Sequence, residues 1–497
     1  MTTTTSATPL QKLRISDVVA STHGWPAIHP NGDAAVAYTT GPDPQTVKVT
    51  ILKPVETSSE DEPLYTIAQR LTLGTPAGAV TPTAGASPSC SHPTICPIED
   101  GFAYFYERRD TVLSPTTLTA GGLQIEMGKI KADGDGYTVY QSATAGKGYV
   151  LDNTVIAGHI GGTPRCHWSG RGNVVGVVYG HQQTYSNVAD DVQRTYSVRA
   201  AYLDFTPNGK PTFVSGGNRT GGSAVGEATD GGYAAGPTQT YLVQNIDLDA
   251  DAAVSDPFAS GGGLPHCIFD HRSDFTVAYE ARNGKAGTGG IVVRTFKGPA
   301  SGSGLDEAAI WSDTTSFGAT AGDAARRPWL ACRNAIEESV GLTGGTFDYP
   351  PYLLVYGSVD PAGGIVDTAL AFTITLHDGA VPTVAALTIP PNANYDATVD
   401  PQALPCAVDS SFLSAVVVQE LIGATAAVAG NKFKIKHADS ALDPDVILPS
   451  GCRRPQRPNM QARKLRNRMN IAALTYEGQD AAGSGNEHVY IEFWLFP

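Results

Sequence analysis

A short strand-like run that closes on tyrosine recurs along the whole chain, and it constrains the fold more than any other feature. The runs are Ala34–Tyr38 (AAVAY), Phe102–Tyr106, Val174–Tyr179, Phe275–Tyr279, Tyr352–Tyr356 and Ile471–Tyr476. A seventh, Ser414–Gln419, has Gln419 in the tyrosine slot. The intervals between closing residues vary by less than a factor of two. Short β-branched and aromatic runs suit strands buried on both faces. Recurrence of one strand type implies a repeat architecture, so a length of 497 residues need not be divided into several domains.

Two other signals keep step with the tyrosines. Pro26, Pro93, Pro164, Pro265, Pro328 and Pro405 each stand ahead of a run, and in the last unit Cys452 is followed by Pro455. Cys96, Cys166, Cys267, Cys332, Cys406 and Cys452 fall in the same neighbourhood. They read as one repeat position on an innermost strand, where cysteine behaves as a small hydrophobe. After each run comes an alternating strand, such as Val47–Lys53, Leu123–Ile130 or Ile291–Lys297, with the period of a half-exposed strand. Six units add a fourth, among them Tyr65–Leu71 and Tyr137–Gln141. Asp133-Gly-Asp135-Gly136 supplies hairpin chemistry between third and fourth strands.

The last unit reaches Pro497 without a fourth strand, while Lys12–Ala20 is a strand-like stretch without a unit. The economical arrangement gives that stretch to the last unit and leaves no open edge. The expected fold is all-β: a seven-bladed β-propeller of four-stranded blades. Residues 10–21 close blade 7, and the blades span 25–73, 93–142, 164–215, 264–313, 327–390, 404–449 and 452–497, with an insertion at 216–263. Composition agrees, with 55 Gly, 34 Pro and only 16% charged residues, the profile of many short strands and turns.

The unit Pro265–Lys297 (PHCIFDHRSDFTVAYEARNGKAGTGGIVVRTFK) resembles a broad group of bacterial and phage β-propeller repeats, in which a proline precedes the inner strand and an aromatic closes the second. The resemblance covers the chain from about Trp25 onward. It implies the fold, and it points toward a phage virion propeller. The Trp-Asp ends of WD40 repeats and the Ser-x-Asp-x-Gly-x-Thr-Trp box of sialidases are absent, and Gly-Gly pairs do not recur in the kelch manner.

A formal net charge of −14 argues against nucleic-acid binding over the whole surface, which needs clustered Lys and Arg. No apolar stretch is long enough for a membrane-spanning helix. Met1–Pro9 has neither the basic nor the apolar region of a secretory signal. Free thiols are therefore expected of the seven cysteines, with a location in a virion or in host cytoplasm before assembly.

Candidate chemistry is sparse. Asp247, Asp249 and Asp251 alternate as calcium ligands do, but Ala252 and Phe258 stand where a calcium loop needs glycine and glutamate. A solvated acidic turn is the favoured reading, and no cofactor is expected beyond that candidate Ca2+. His29, His92, His167 and His266 gather near the inner strands. They do not share one repeat position, which favours polar channel lining over a metal ring. Nucleophile-elbow, zinc-protease and phosphate-loop motifs are absent.

The most unusual segment is Arg453–Arg468, read as a loop between the first and second strands of the last blade. It concentrates Arg453, Arg454, Arg457, Arg463, Lys464, Arg466 and Arg468. A basic segment on an acidic protein suits an acidic partner, whether another structural protein or a second copy. The expected function is a non-enzymatic structural or interaction protein, a rigid disc docking into a larger assembly such as a phage tail or capsid appendage. The alternatives are a carbohydrate-binding propeller and, behind it, a propeller glycoside hydrolase.

Overall fold

In a computed structural model of the chain, the described residues are 8–41, 45–55, 64–75, 89–109, 123–142, 146–152, 162–188, 191–214, 226–229, 232–233, 241–248, 265–269, 274–281, 290–296, 309–312, 317, 324–332, 352–359, 366–377, 380–387, 406–410, 413–420, 432–437, 446–447, 453–464, 470–480 and 487–496. Among them the strands form seven antiparallel sheets, numbered here in chain order by their first strands: Thr22–Ile28, Ser89–Ile98, Gly162–Trp168, His266–Phe269, Ala324–Cys332, Cys406–Ser410 and Arg453–Lys464. Each sheet is built around a four-strand meander. In sheet 1 the order is Thr22–Ile28, Ala34–Thr40, Thr46–Val55, Leu64–Gly74. The first strands touch in succession from sheet 1 to sheet 7, and Arg453–Lys464 of sheet 7 touches Thr22–Ile28 of sheet 1 again. Four-stranded sheets in this succession are consistent with a β-propeller. Among the described residues no helix is long and apolar enough to cross a membrane.

Thr8–Arg14 runs antiparallel to Glu487–Phe496, with Leu13 opposite Ile491 and Arg14 opposite Tyr490. It is thus the outermost strand of sheet 7. The expected stretch Lys12–Ala20 is a strand only as far as Arg14. Beyond it, the Ile15 and Ser16 N–H groups both donate to Val489 O.

The tyrosine runs are the second strands, and the closing residues Tyr38, Tyr106, Tyr179, Tyr279, Tyr356 and Tyr476 are all buried. Their partners on the first strands explain the prolines. In sheet 2, Ser91 pairs with Glu107 and Thr94 with Phe105, so His92 and Pro93 together face Tyr106. The same extra residue occurs at Thr163-Pro164, Arg327-Pro328 and Arg457-Pro458, and at His23-Gly24 in sheet 1. It is a β-bulge in which two residues oppose one. Proline lacks an N–H and is admitted to a sheet at such a site. Gly24 takes the place for a different reason: a Cβ there would lie 2.6 Å from Val489 Cγ1.

This register corrects three expectations. The repeat prolines are Pro93, Pro164, Pro328 and Pro458; Pro26 and Pro455 are not their equivalents. The cysteines do not share one position, because Cys166 lies two residues beyond its bulge proline, Cys96 three and Cys332 four. The segment Arg453–Lys464, read as a loop, is itself the first strand of sheet 7. Two bulges, one around Pro455 and one around Pro458, let a strand with two prolines stay paired.

Each junction between neighbouring sheets holds its own apolar cluster. Phe105, Met127, Val177 and Leu203 fill sheets 2–3, and Val36, Tyr38, Ile491 and Phe493 fill sheets 7–1. The insertion after sheet 3 returns as strand. Tyr241–Leu248 pairs with Asp191–Asp204 in sheet 3, and Gly226–Thr229 adds to sheet 2 through Tyr149–Asp152.

Candidate functional site

The residue directly after each bulge is the start of the site. These residues are Trp25, Thr94, Arg165, Trp329 and Asn459, with His266 after Pro265. Four of them converge from four sheets. The rings of Trp25 and Trp329 are 5.2 Å apart, His266 lies 4.3 Å from Trp329, and the Arg165 guanidinium sits 4.2 Å over Trp25. Trp25, His266 and Trp329 are buried. Cation–π contacts of this kind strengthen where water is excluded.

Beyond this aromatic cluster the first strands enclose a cavity of about 90 Å³, room for roughly half a dozen water-sized groups. Its lining comes from sheets 1, 2, 3, 4, 5 and 7. Ile28, Cys96, Pro97, Ile268, Leu330, Ala331, Met460 and Ala462 make the walls mainly apolar; His167 and Gln461 are polar. Half-buried Trp168 and Arg463 also line it, the guanidinium 4.9 Å over the indole. No Asp or Glu is among the described lining residues.

Burial sets the charge of this space. It holds His266 well below the usual imidazole value, and the Arg165 charge works in the same direction. His167 is brought down to about 4, chiefly by burial and further by Arg463. His29, whose Nε2 is 2.8 Å from Ile98 O, is lowered by burial as well. Burial pushes the Cys96 and Cys267 thiols well up. Near neutral pH the imidazoles and thiols are therefore uncharged, and the positive charge at the cavity belongs to the arginines.

A second group lies at the bulges of sheets 1 and 2. His23 and His92 both have left-handed backbone (φ 55° and 49°), and their rings are 4.3 Å apart. The His23 N–H donates to Glu477 Oε1 at 2.7 Å, and His92 Nδ1 is 3.1 Å from Glu107 Oε2. Glu107 and Glu477 each follow a closing tyrosine and are buried. The group ties sheets 7, 1 and 2 together.

One arrangement imitates a hydrolytic triad. Ser16 Oγ is 3.0 Å from His488 Nδ1, and His488 Nε2 is 3.7 Å from Asp480 Oδ2. Ser16 is 1% exposed and its Oγ accepts the Val489 N–H at 3.1 Å. A nucleophile must reach its substrate; this serine instead fastens the N-terminal segment to the last strand.

Of the residues expected from sequence, Arg463, His167 and His266 meet at the cavity. Arg453, Arg454, Arg457 and Lys464 lie on the first strand of sheet 7, and their side chains fall outside the described residues, as do Arg466 and Arg468 altogether. Asp247 stands opposite Thr195 in sheet 3, while Asp249 and Asp251 are outside the described residues. Among the described residues no three His, Cys, Asp or Glu side chains are grouped for a metal ion. The sequence reading missed Trp25, Arg165, Trp168 and Trp329. Its usable signal was the residue following each motif proline, as in Pro164-Arg165, Pro265-His266 and Pro328-Trp329.

No family model and no curated protein matches the chain. Among solved structures, one of a protein of unknown function from Dyadobacter fermentans is similar at 8% identity and TM-score 0.39, covering 99% of this chain and 100% of that one. The parainfluenza virus 5 hemagglutinin-neuraminidase with the ligand DANA is similar at 7% identity and TM-score 0.41, covering 99% and 95%. Trypanosoma rangeli sialidase in complex with sialic acid is similar at 8% identity and TM-score 0.37, covering 94% and 59%. All three scores are low, and no residue role or ligand is carried from these proteins to this chain.

Proposed function

We propose that the chain is a non-enzymatic recognition protein: a closed ring of seven blades whose ligand site is the axial cavity. Support for the ring comes from the unbroken succession of first strands and from the pairing of Thr8–Arg14 with Glu487–Phe496. The observation that carries the site is the convergence on one space of side chains from six sheets, floored by Trp25 and Trp329 and flanked by Trp168 and Arg463. Binding pockets are concave and mostly apolar, with a few oriented polar groups. Recognition is favoured over hydrolysis because the described lining holds no carboxylate pair, which glycoside hydrolysis needs on either side of the scissile bond. The test is a small-molecule screen by ligand-observed NMR, repeated with the cavity filled by Ala331→Phe. Ligands lost on filling support the site; a screen in which filling changes nothing overturns it.

Docking into a larger assembly, and membership of a phage particle in particular, is the narrower proposal. It rests on the basic run from Arg453 to Arg468. Stoichiometric presence of the chain in purified particles, with docking weakened by charge reversal at Arg453, Arg454 and Arg457, is the expected result. A chain absent from particles ends this proposal and leaves the axial site untouched.

A further inference from the structure

We infer that the ligand of the axial cavity is a small amphipathic carboxylate, held by its anionic end at Arg463 and by its apolar body against the Trp25–Trp329 floor. This rests on the reading of the cavity as a ligand site.

Three properties of the space select that class. The first is charge. In a chain of formal net charge −14, the described lining carries a guanidinium and no carboxylate, with a second guanidinium stacked behind Trp25. An anion entering here meets attraction in a setting where burial weakens solvent screening.

The second is geometry. Arg463 presents a face to the Trp168 indole, and a guanidinium stacked by its face still directs its N–H groups outward in its own plane. That fork matches the two oxygens of a carboxylate. Stacking also limits the rotamers of Arg463, which lowers the ordering cost of binding.

The third is the wall. Ile28, Pro97, Ile268, Leu330, Ala331 and Met460 offer no hydrogen bonds from their side chains. A sugar buried among them would leave its hydroxyls unpaired, at a cost for each. An aromatic or branched aliphatic body meets no such cost and gains contact with the indoles. The gradient also fits, since the floor is buried whereas Trp168 and Arg463 are half-buried. The charged end thus lies toward water and the apolar end away from it.

The experiment compares benzoate with benzyl alcohol, a neutral molecule of the same ring and nearly the same size. Calorimetry and tryptophan fluorescence on the full chain read binding at low and high salt. Benzoate should bind, weaken as salt rises, and exceed benzyl alcohol by about tenfold or more, the range of one charge-assisted hydrogen bond. Arg463→Gln should remove that difference while leaving benzyl alcohol unchanged, and Ala331→Phe should remove both. Equal, salt-independent binding of the two probes, lost in Ala331→Phe, would overturn the carboxylate and keep the cavity as a ligand site. Binding of neither probe overturns the carboxylate as well, and the screen under Proposed function then decides the cavity itself. The wild-type comparison of the two probes needs no variant to fold.

Discussion

The two sides of the bulge behave in opposite ways. Across from it, six sheets use the same residue, and Tyr38, Tyr106, Tyr179, Tyr279, Tyr356 and Tyr476 are all buried between sheets. Directly after it, the described sheets differ: Trp25, Thr94, Arg165, His266, Trp329 and Asn459. The tyrosine solves a problem that recurs in every unit. A long flat side chain fills the space opened by the extra residue, and its hydroxyl needs a partner at the far end. Tyr106 donates to Glu126 at 2.5 Å and Tyr476 to Glu492 at 2.8 Å. The post-bulge residues share no such task, because they meet on an axis that each sheet approaches from a different side. Repetition marks what builds the fold, and divergence at a fixed register marks what the fold presents.

The comparison can be broken most severely at the seam. Removing residues 1–14 takes away the outer strand of sheet 7, and urea unfolding should lose its single cooperative transition. An unchanged transition would show that the seam contributes nothing to the ring. Next in size is the tyrosine layer. Tyr356→Ala should cost about 3–5 kcal/mol, the range for truncating a buried aromatic side chain, while Tyr356→Phe should cost far less. A loss below 1 kcal/mol in urea unfolding, about the cost of an ordinary surface change, would remove the tyrosine from the core.

Smaller effects belong to the axis. His29, His167, His266 and His488 are all lowered by burial. The unfolded chain then binds more protons than the folded one, so stability rises with pH across the window. It is fully present above the ordinary imidazole value of 6.5 and is lost as pH falls below it, levelling for His167 only near 4. Melting should therefore come several degrees lower at pH 5 than at pH 7.5, and His266→Gln should flatten part of that slope. A melting temperature independent of pH would contradict the burial of these rings. The smallest expected effect on stability is Arg463→Gln, within about 0.5 kcal/mol, even though it is expected to abolish preference for an anion. A large loss of stability would recast Arg463 as a structural residue.

The same contrast explains what could be read in advance. The tyrosine runs, the alternating third strands and the Asp133–Gly136 hairpin follow local rules of period and turn chemistry, and they are visible in one sequence. A bulge follows no such rule. It adds one unpaired residue without altering composition, so Cys96 and Cys166 look equivalent until their partners are known. Arg453–Lys464 reads as a loop because prolines and arginines are poor strand residues, and only pairing with Asn470–Gln479 shows the two bulges that accommodate them. Arg463 was picked for its charge, yet its stacking on Trp168 depends on a tertiary approach that no spacing in the chain encodes.

The pairing of Thr8–Arg14 with Glu487–Phe496 also has a consequence in time. The first of these strands leaves the ribosome early and waits for a partner made almost last. At typical synthesis rates that delay is roughly half a minute or more, during which its backbone edge is open to other chains. Pro9, Lys12 and Arg14 are the residue types that discourage strangers from adding to a lone strand. Three unremarkable side chains would then act as a guard during biosynthesis, with their value spent before the finished molecule is ever used.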